Sequence, residues 1–260
     1  MVGNDFAYDG IQTSDGGYLM VGYEYGGFAV GKAIKIDSAG NVLHSAYLGG
    51  GFSNSVMHTC IEKYPGKYLI AGKNYINNYD AYVAVLDTAF NLLDDATYPL
   101  GVTTTLADVA YKALPFQDGY LIELASFSGT GSRIMWLFDN LDTLRVMDIP
   151  LSYQLVSSNI NTKYFDMCVT SDNKFAFATT GYDLAFNRQV LILKTDTLMN
   201  VEWDHYYGSA NLEQGSSIAQ TYDNGFVVCG IYMYTQNIGQ ATDDYYIIIL
   251  LKLIAWAIRM

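Results

Sequence analysis

The chain has 260 residues, with 14 Lys plus Arg against 26 Asp plus Glu, a formal net charge of −12. That balance argues against nucleic acid as a partner, since binding a phosphate backbone requires a basic footprint. At this length a single all-β domain is expected, and neither a basic amphipathic stretch nor an uninterrupted apolar span of membrane length is present.

The first predicted hairpin turns through Thr13-Ser-Asp-Gly-Gly-Tyr18 into the apolar strand Tyr18-Leu-Met-Val-Gly-Tyr23. A third strand, Lys32-Ala-Ile-Lys-Ile36, alternates and ends on Asp37, which opens an Asp-x-x-x-Asn turn to Asn41. Short polar side chains favour such turns because they bond the nearby backbone and tolerate left-handed geometry. Val42-Leu-His-Ser-Ala-Tyr47 then supplies a fourth strand, closed by Leu48-Gly-Gly-Gly51.

The same phrase returns at Lys63-Tyr-Pro-Gly-Lys-Tyr68, Phe116-Gln-Asp-Gly-Tyr120, Thr170-Ser-Asp-Asn-Lys-Phe175 and Thr221-Tyr-Asp-Asn-Gly-Phe226. The aromatic anchors are 50, 52, 55 and 51 residues apart. Second landmarks recur as Val85-Leu-Asp87, Leu137-Phe-Asp139 and Leu193-Lys-Thr-Asp196, with Asn91 and Asn200 completing two of the turns. A fixed period of four short strands in this range is the mark of a propeller. The predicted fold is therefore all-β: a β-propeller of five four-stranded antiparallel blades. The blades fall near residues 1–50, 51–101, 102–152, 153–209 and 210–260. Gly22, Gly72 and Gly230 recur in the second strands. Glycine weakens a strand, so close approach of a neighbouring strand or aromatic, from the adjacent blade, is expected there.

Asp-Gly-Gly-Tyr18, Gly22, Ile34-Lys-Ile-Asp37-x-x-Gly40-Asn41 and Ser45-Ala-Tyr-Leu-Gly-Gly50 resemble the secreted bacterial β-propeller repeat family. The first and fifth repeats match it best, and the third departs from it with Leu124 where the glycine stands elsewhere. The resemblance implies a secreted or cell-surface propeller and no defined activity, because its motifs are turn motifs and propellers host many functions. Residues 1 to 4 are too short for a closing strand, and Ile254 stands where a turn Asp belongs. Two readings stay open: a degenerate last blade, or a fragment of a larger propeller.

Chemistry-bearing motifs are scarce. No metalloprotease, nucleophile-elbow or P-loop pattern occurs. Cys60, Cys168 and Cys229 form no C-x-x-C pair and are expected as free thiols, so neither a metal nor a cofactor is expected. His44, His58 and His205 are expected to pack within strands. What recurs is an aromatic and acidic set in the loops between second and third strands: Tyr23, Glu24, Tyr25, Tyr75, Tyr79, Asp80, Tyr182, Asp183, Tyr232 and Tyr234. Asp5, Asp108, Asp166 and Glu213 are expected in the loops just before first strands. In a propeller both sets lie on one rim. Tyrosine offers a flat apolar face with a polar tip, suited to a glycan or a peptide. The expected function is a non-catalytic binding or scaffold module. The alternatives are a glycoside hydrolase using channel carboxylates, and a structural spacer.

Overall fold

The computed structural model describes residues 4–50, 54–75, 79–99, 108–126, 132–149, 165–182, 188–208, 212–238 and 241–253. Every regular element among them is a strand, and each antiparallel sheet is built from consecutive strands. The first sheet comprises β1 (Asn4–Gln12), β2 (Tyr18–Tyr25), β3 (Ala29–Ile36) and β4 (Val42–Leu48). The second comprises β5 (Val56–Tyr64), β6 (Lys67–Asn74), β7 (Asp80–Leu86) and β8 (Leu92–Tyr98). The third comprises β9 (Asp108–Phe116), β10 (Gly119–Ser126), β11 (Ser132–Phe138) and β12 (Thr143–Asp148). The fourth comprises β13 (Phe165–Val169), β14 (Phe175–Tyr182), β15 (Arg188–Thr195) and β16 (Val201–Tyr207). The fifth has three described strands, β17 (Leu212–Gln220), β18 (Phe226–Ile238) and β19 (Ala241–Leu253). Residues 254–260, where its fourth strand was expected, lie outside the described residues. Two compact units result, residues 1–147 with the first three sheets and residues 148–260 with the last two.

The turns form for the reasons their residues predict. Gly16, Gly66, Asn173 and Asn224 hold φ values of 81, 75, 56 and 59°, a left-handed region where glycine and asparagine cost least. In the second kind of turn, Asp37 Oδ1 accepts the N–H groups of Ala39 and Asn41, and Oδ2 accepts Asn41 Nδ2. Asp87 with Asn91 and Asp196 with Asn200 repeat that set. The third sheet differs: its turn runs from Phe138 to Asp142. Asp139 is therefore displaced from the turn role and instead accepts Lys63 Nζ at 2.8 Å and the Tyr64 hydroxyl at 2.6 Å.

Alternation along β6 and β7 explains why the second sheet reads as continuous apolar runs. Tyr68, Ile70, Tyr82, Ala84 and Leu86 pack with Leu19, Val21 and Met57 on one face. Leu69, Ala71, Val83 and Val85 pack with Tyr120, Ile122, Met135 and Leu137 on the other. Strands covered on both sides need no polar face. In the second unit Ala176, Ala178, Val190 and Ile192 meet Ile218, Phe226 and Val228.

A hydrogen bond also joins successive first strands at one repeat position. Asp9 Oδ2 accepts Cys60 N–H at 3.0 Å, Thr59 Oγ1 accepts Ala113 N–H at 3.3 Å, and Asp166 Oδ2 accepts Ile218 N–H at 2.9 Å. Each bond satisfies a donor that faces the preceding sheet rather than its own ladder. The cysteines are free, and burial pushes the Cys60 thiol pKa well above its ordinary value, with the Asp9 carboxylate adding to the effect.

The recurrent glycines have a different cause from the one expected. A Cβ on Gly22, Gly72 or Gly230 would fall 1.8, 2.0 or 1.9 Å from the carbonyl oxygen of Phe6, Val56 or Gln214. Those oxygens belong to the first strand of the same sheet, not to the adjacent one. Among the described residues no helix is long and apolar enough to cross a membrane, and no cluster of three metal-ligating side chains occurs.

Candidate functional site

The crowding at those glycines comes from a β-bulge. Pairing of β1 with β2 skips between Ala7 and Asp9, leaving Tyr8 extra. The pairing of β5 with β6 skips between Met57 and Thr59, leaving His58. In the third sheet Leu124 pairs Ala110 while Glu123 pairs Lys112, leaving Tyr111, and in the fifth Ser216 is the extra residue. A bulge re-aims the side chain of its extra residue and often stands beside a functional site. The sequence expected His58 simply to pack within its strand. Tyrosine and histidine at an otherwise paired position gave no signal of their own.

In the first unit these re-aimed side chains form one aromatic row. His58 lies between Tyr8 and Tyr111, with ring centroids 4.9 and 4.8 Å away. Tyr8 stacks on Tyr23 at 5.9 Å, and Tyr23 stacks on Phe6 at 4.8 Å. His58 and Tyr111 are only 7% and 8% exposed, whereas Tyr8 is 44% exposed. Burial pushes the Tyr8 hydroxyl pKa up, with Tyr23 adding to the effect, and burial followed by the Glu123 carboxylate does the same to Tyr111. Both hydroxyls therefore remain protonated at neutral pH.

Asp5 and Glu24 neighbour Phe6 and Tyr23 in β1 and β2, so their side chains stand on the other face of the first sheet, in a separate polar cluster. Glu24 accepts Lys32 Nζ at 2.7 Å and the Tyr47 hydroxyl at 2.8 Å, and Lys32 reaches Asp5 at 3.1 Å. A cavity of about 220 Å³ opens beside it, lined by Asp5, Phe6, Met20, Tyr23, Lys32 and Ile34. Asp5 and Glu24 are thus brought together on Lys32, while Tyr23 belongs to the aromatic row.

The other expected site residues are elsewhere. Tyr25 is exposed at the end of β2. Tyr75 and Tyr79 pack edge to face at 4.8 Å, with Tyr79 over Lys73 Nζ at 4.7 Å from its centroid. Lys73 is 3% exposed, and desolvation lowers its pKa to about 8. Asp80 is buried, paired across the ladder with Asn74. In the second unit Asp166 is spent on Ile218 and Ser217, and Tyr232 pairs in register with Glu213. Tyr182 and Tyr234 occupy β14 and β18, Asp108 opens β9, and Asp183 lies outside the described residues.

No protein-family model matches the chain, and no curated protein matches it. Among solved structures it is similar to a family-32 glycoside hydrolase, a β-fructofuranosidase of Bombyx mori in complex with sucrose. The TM-score is 0.44 at 10% identity, over 88% of this chain and 60% of the enzyme's. At that level the likeness concerns architecture alone and brings neither substrate nor residues to this chain. The expectation that this chain is no enzyme is withdrawn.

Proposed function

We propose that the five repeats form a β-propeller that recognises a glycan, held along the inner aromatic row of its first three sheets. The observation that carries this reading is the row itself. Bulges at one repeat position turn Tyr8, His58 and Tyr111 out of their ladders and into contact with one another. Aromatic faces suit the apolar face of a sugar ring, and tyrosine supplies that face with little conformational entropy to lose. The net charge of −12 disfavours a polyanionic ligand.

The test is a glycan array read alongside a peptide library, with Tyr8→Ala and Tyr25→Ala variants compared. Glycan binding that weakens in Tyr8→Ala and persists in Tyr25→Ala supports the row. The same oligosaccharides are then incubated with the protein and followed for released reducing sugar, which reports hydrolysis directly. Binding confined to peptides, or glycan binding indifferent to Tyr8, overturns the proposal.

A further inference from the structure

In the second unit the groove between the fourth and fifth sheets holds a cavity of about 320 Å³, lined by Ser171, Asp172, Lys194, Trp203, Gln220, Asn224 and Phe226. That volume falls within the range of small-molecule sites. We infer that this groove is a second ligand site, for an uncharged polyhydroxylated molecule the size of one or two sugar rings.

The repeat supplies a control inside the same molecule. The groove between the first and second sheets carries Ser14, Asp15, Lys35, His44, Glu62 and Gly66 at the corresponding positions. There the side chains close on one another. Glu62 accepts Ser14 N–H at 2.6 Å, the Ser14 hydroxyl at 2.9 Å and Gly66 N–H at 2.7 Å. His44 stacks on Phe90 at 5.8 Å, and Phe90 meets the edge of Tyr68 at 6.2 Å.

In the second unit three of these positions have changed: Gln220 replaces Glu62, Asn224 replaces Gly66 and Trp203 replaces His44. Gln220 Oε1 still accepts Ser171 N–H at 2.7 Å, and Asn224 Oδ1 accepts the Ser171 hydroxyl at 2.8 Å. These bonds use the amide oxygens, so both amide NH₂ groups remain as donors toward the cavity. Trp203 is held as a wall by His205, stacked at 5.8 Å, and by Phe226 at 5.7 Å.

The charges cancel locally. Lys194 bonds Asp172 at 2.7 Å and lies 3.7 Å from Glu202, which also pairs with Lys174. Two ammonium groups and two carboxylates leave no net charge to attract an ion. Free amide donors, carboxylate lone pairs and an indole face instead match hydroxyl groups around an apolar ring.

The experiment is saturation-transfer NMR of the full chain with a panel of neutral mono- and disaccharides, and with acetate and glutamate as charged controls. The variants are Trp203→Leu and the double exchange Gln220→Glu with Asn224→Gly, which installs the residues of the first groove. Transfer to a neutral sugar is expected, with affinity falling about tenfold or more in the double variant, as befits loss of a hydrogen bond. An unchanged melting temperature in that variant shows that the site, not the fold, was lost. Read on the Tyr8→Ala chain, the transfer that remains belongs to this groove, so failure of the row in the first unit and failure of this groove give different results. No transfer to any neutral sugar, transfer only to the charged controls, or binding indifferent to the double exchange overturns the inference.

Discussion

Tyr18 and Tyr68 occupy the same repeat position, yet the first is 42% exposed and the second 1%. Both stand at the start of a second strand, Tyr18 as the first residue of β2 and Tyr68 as the second of β6. What differs is the neighbour: Tyr68 is covered by the preceding sheet through Leu19 and Val21, whereas Phe6, Tyr8 and Tyr18 remain exposed on the first sheet. Local sequence thus sets the strand and its turn, and an adjoining sheet decides what the side chain contributes to stability.

The largest effect should come from testing that pair directly. Tyr68→Ala empties a buried site and is expected to cost about 3–5 kcal/mol, while Tyr18→Ala should change stability by less than about 1 kcal/mol. Equal shifts in urea midpoint would break the comparison. Next is Gly72→Val, whose Cβ would lie 2.0 Å from the Val56 carbonyl oxygen. The second sheet is packed on both faces and has little room to shift, so a loss of about 3 kcal/mol is expected. Gly22→Val has the same clash in a sheet with one exposed face and should lose less, as a chevron or equilibrium denaturation will show.

Lys73 gives a third test, of opposite sign. Its folded pKa of about 8 lies below the unfolded value, so burial of the charge costs stability below pH 8 and the cost fades as pH rises toward the unfolded pKa. Lys73→Met should therefore stabilise by about 2 kcal/mol at pH 7, with the advantage over the native chain shrinking between pH 8 and about 10. A constant difference across that range would show that the amine is not the cause. The smallest effect expected is Asp9→Ala, which strips one acceptor from Cys60 N–H and should cost about 1 kcal/mol.

Sequence alone made the turns and anchors legible because their determinants are local. Asp37, Asp87 and Asp196 bond residues two and four positions ahead, so their roles are written in adjacent letters. Asp139 looked equivalent and is not, since its partners Lys63 and Tyr64 lie in the preceding sheet. The candidate site was legible only at Tyr23. Tyr8, His58 and Tyr111 were missed because a bulge is defined by pairing between strands, and the glycines that accommodate it at positions 22 and 72 were its one visible trace. Tyr75 and Tyr79, read from the sequence as ligand contacts, pack on each other, with Tyr79 over Lys73.

The bonds from Asp9 to Cys60, from Thr59 to Ala113 and from Asp166 to Ile218 have a genealogical consequence. In each, a side-chain acceptor on one first strand meets a backbone donor on the following first strand. Because the donor is main chain, it is present whatever residue other than proline stands there. A duplicated segment therefore arrives already able to grip its successor, and needs only one oxygen-bearing side chain to do so. Tandem duplication can lengthen such a chain without first evolving an interface, and nearest-neighbour cohesion of this kind lets the copies drift apart in sequence while staying in line.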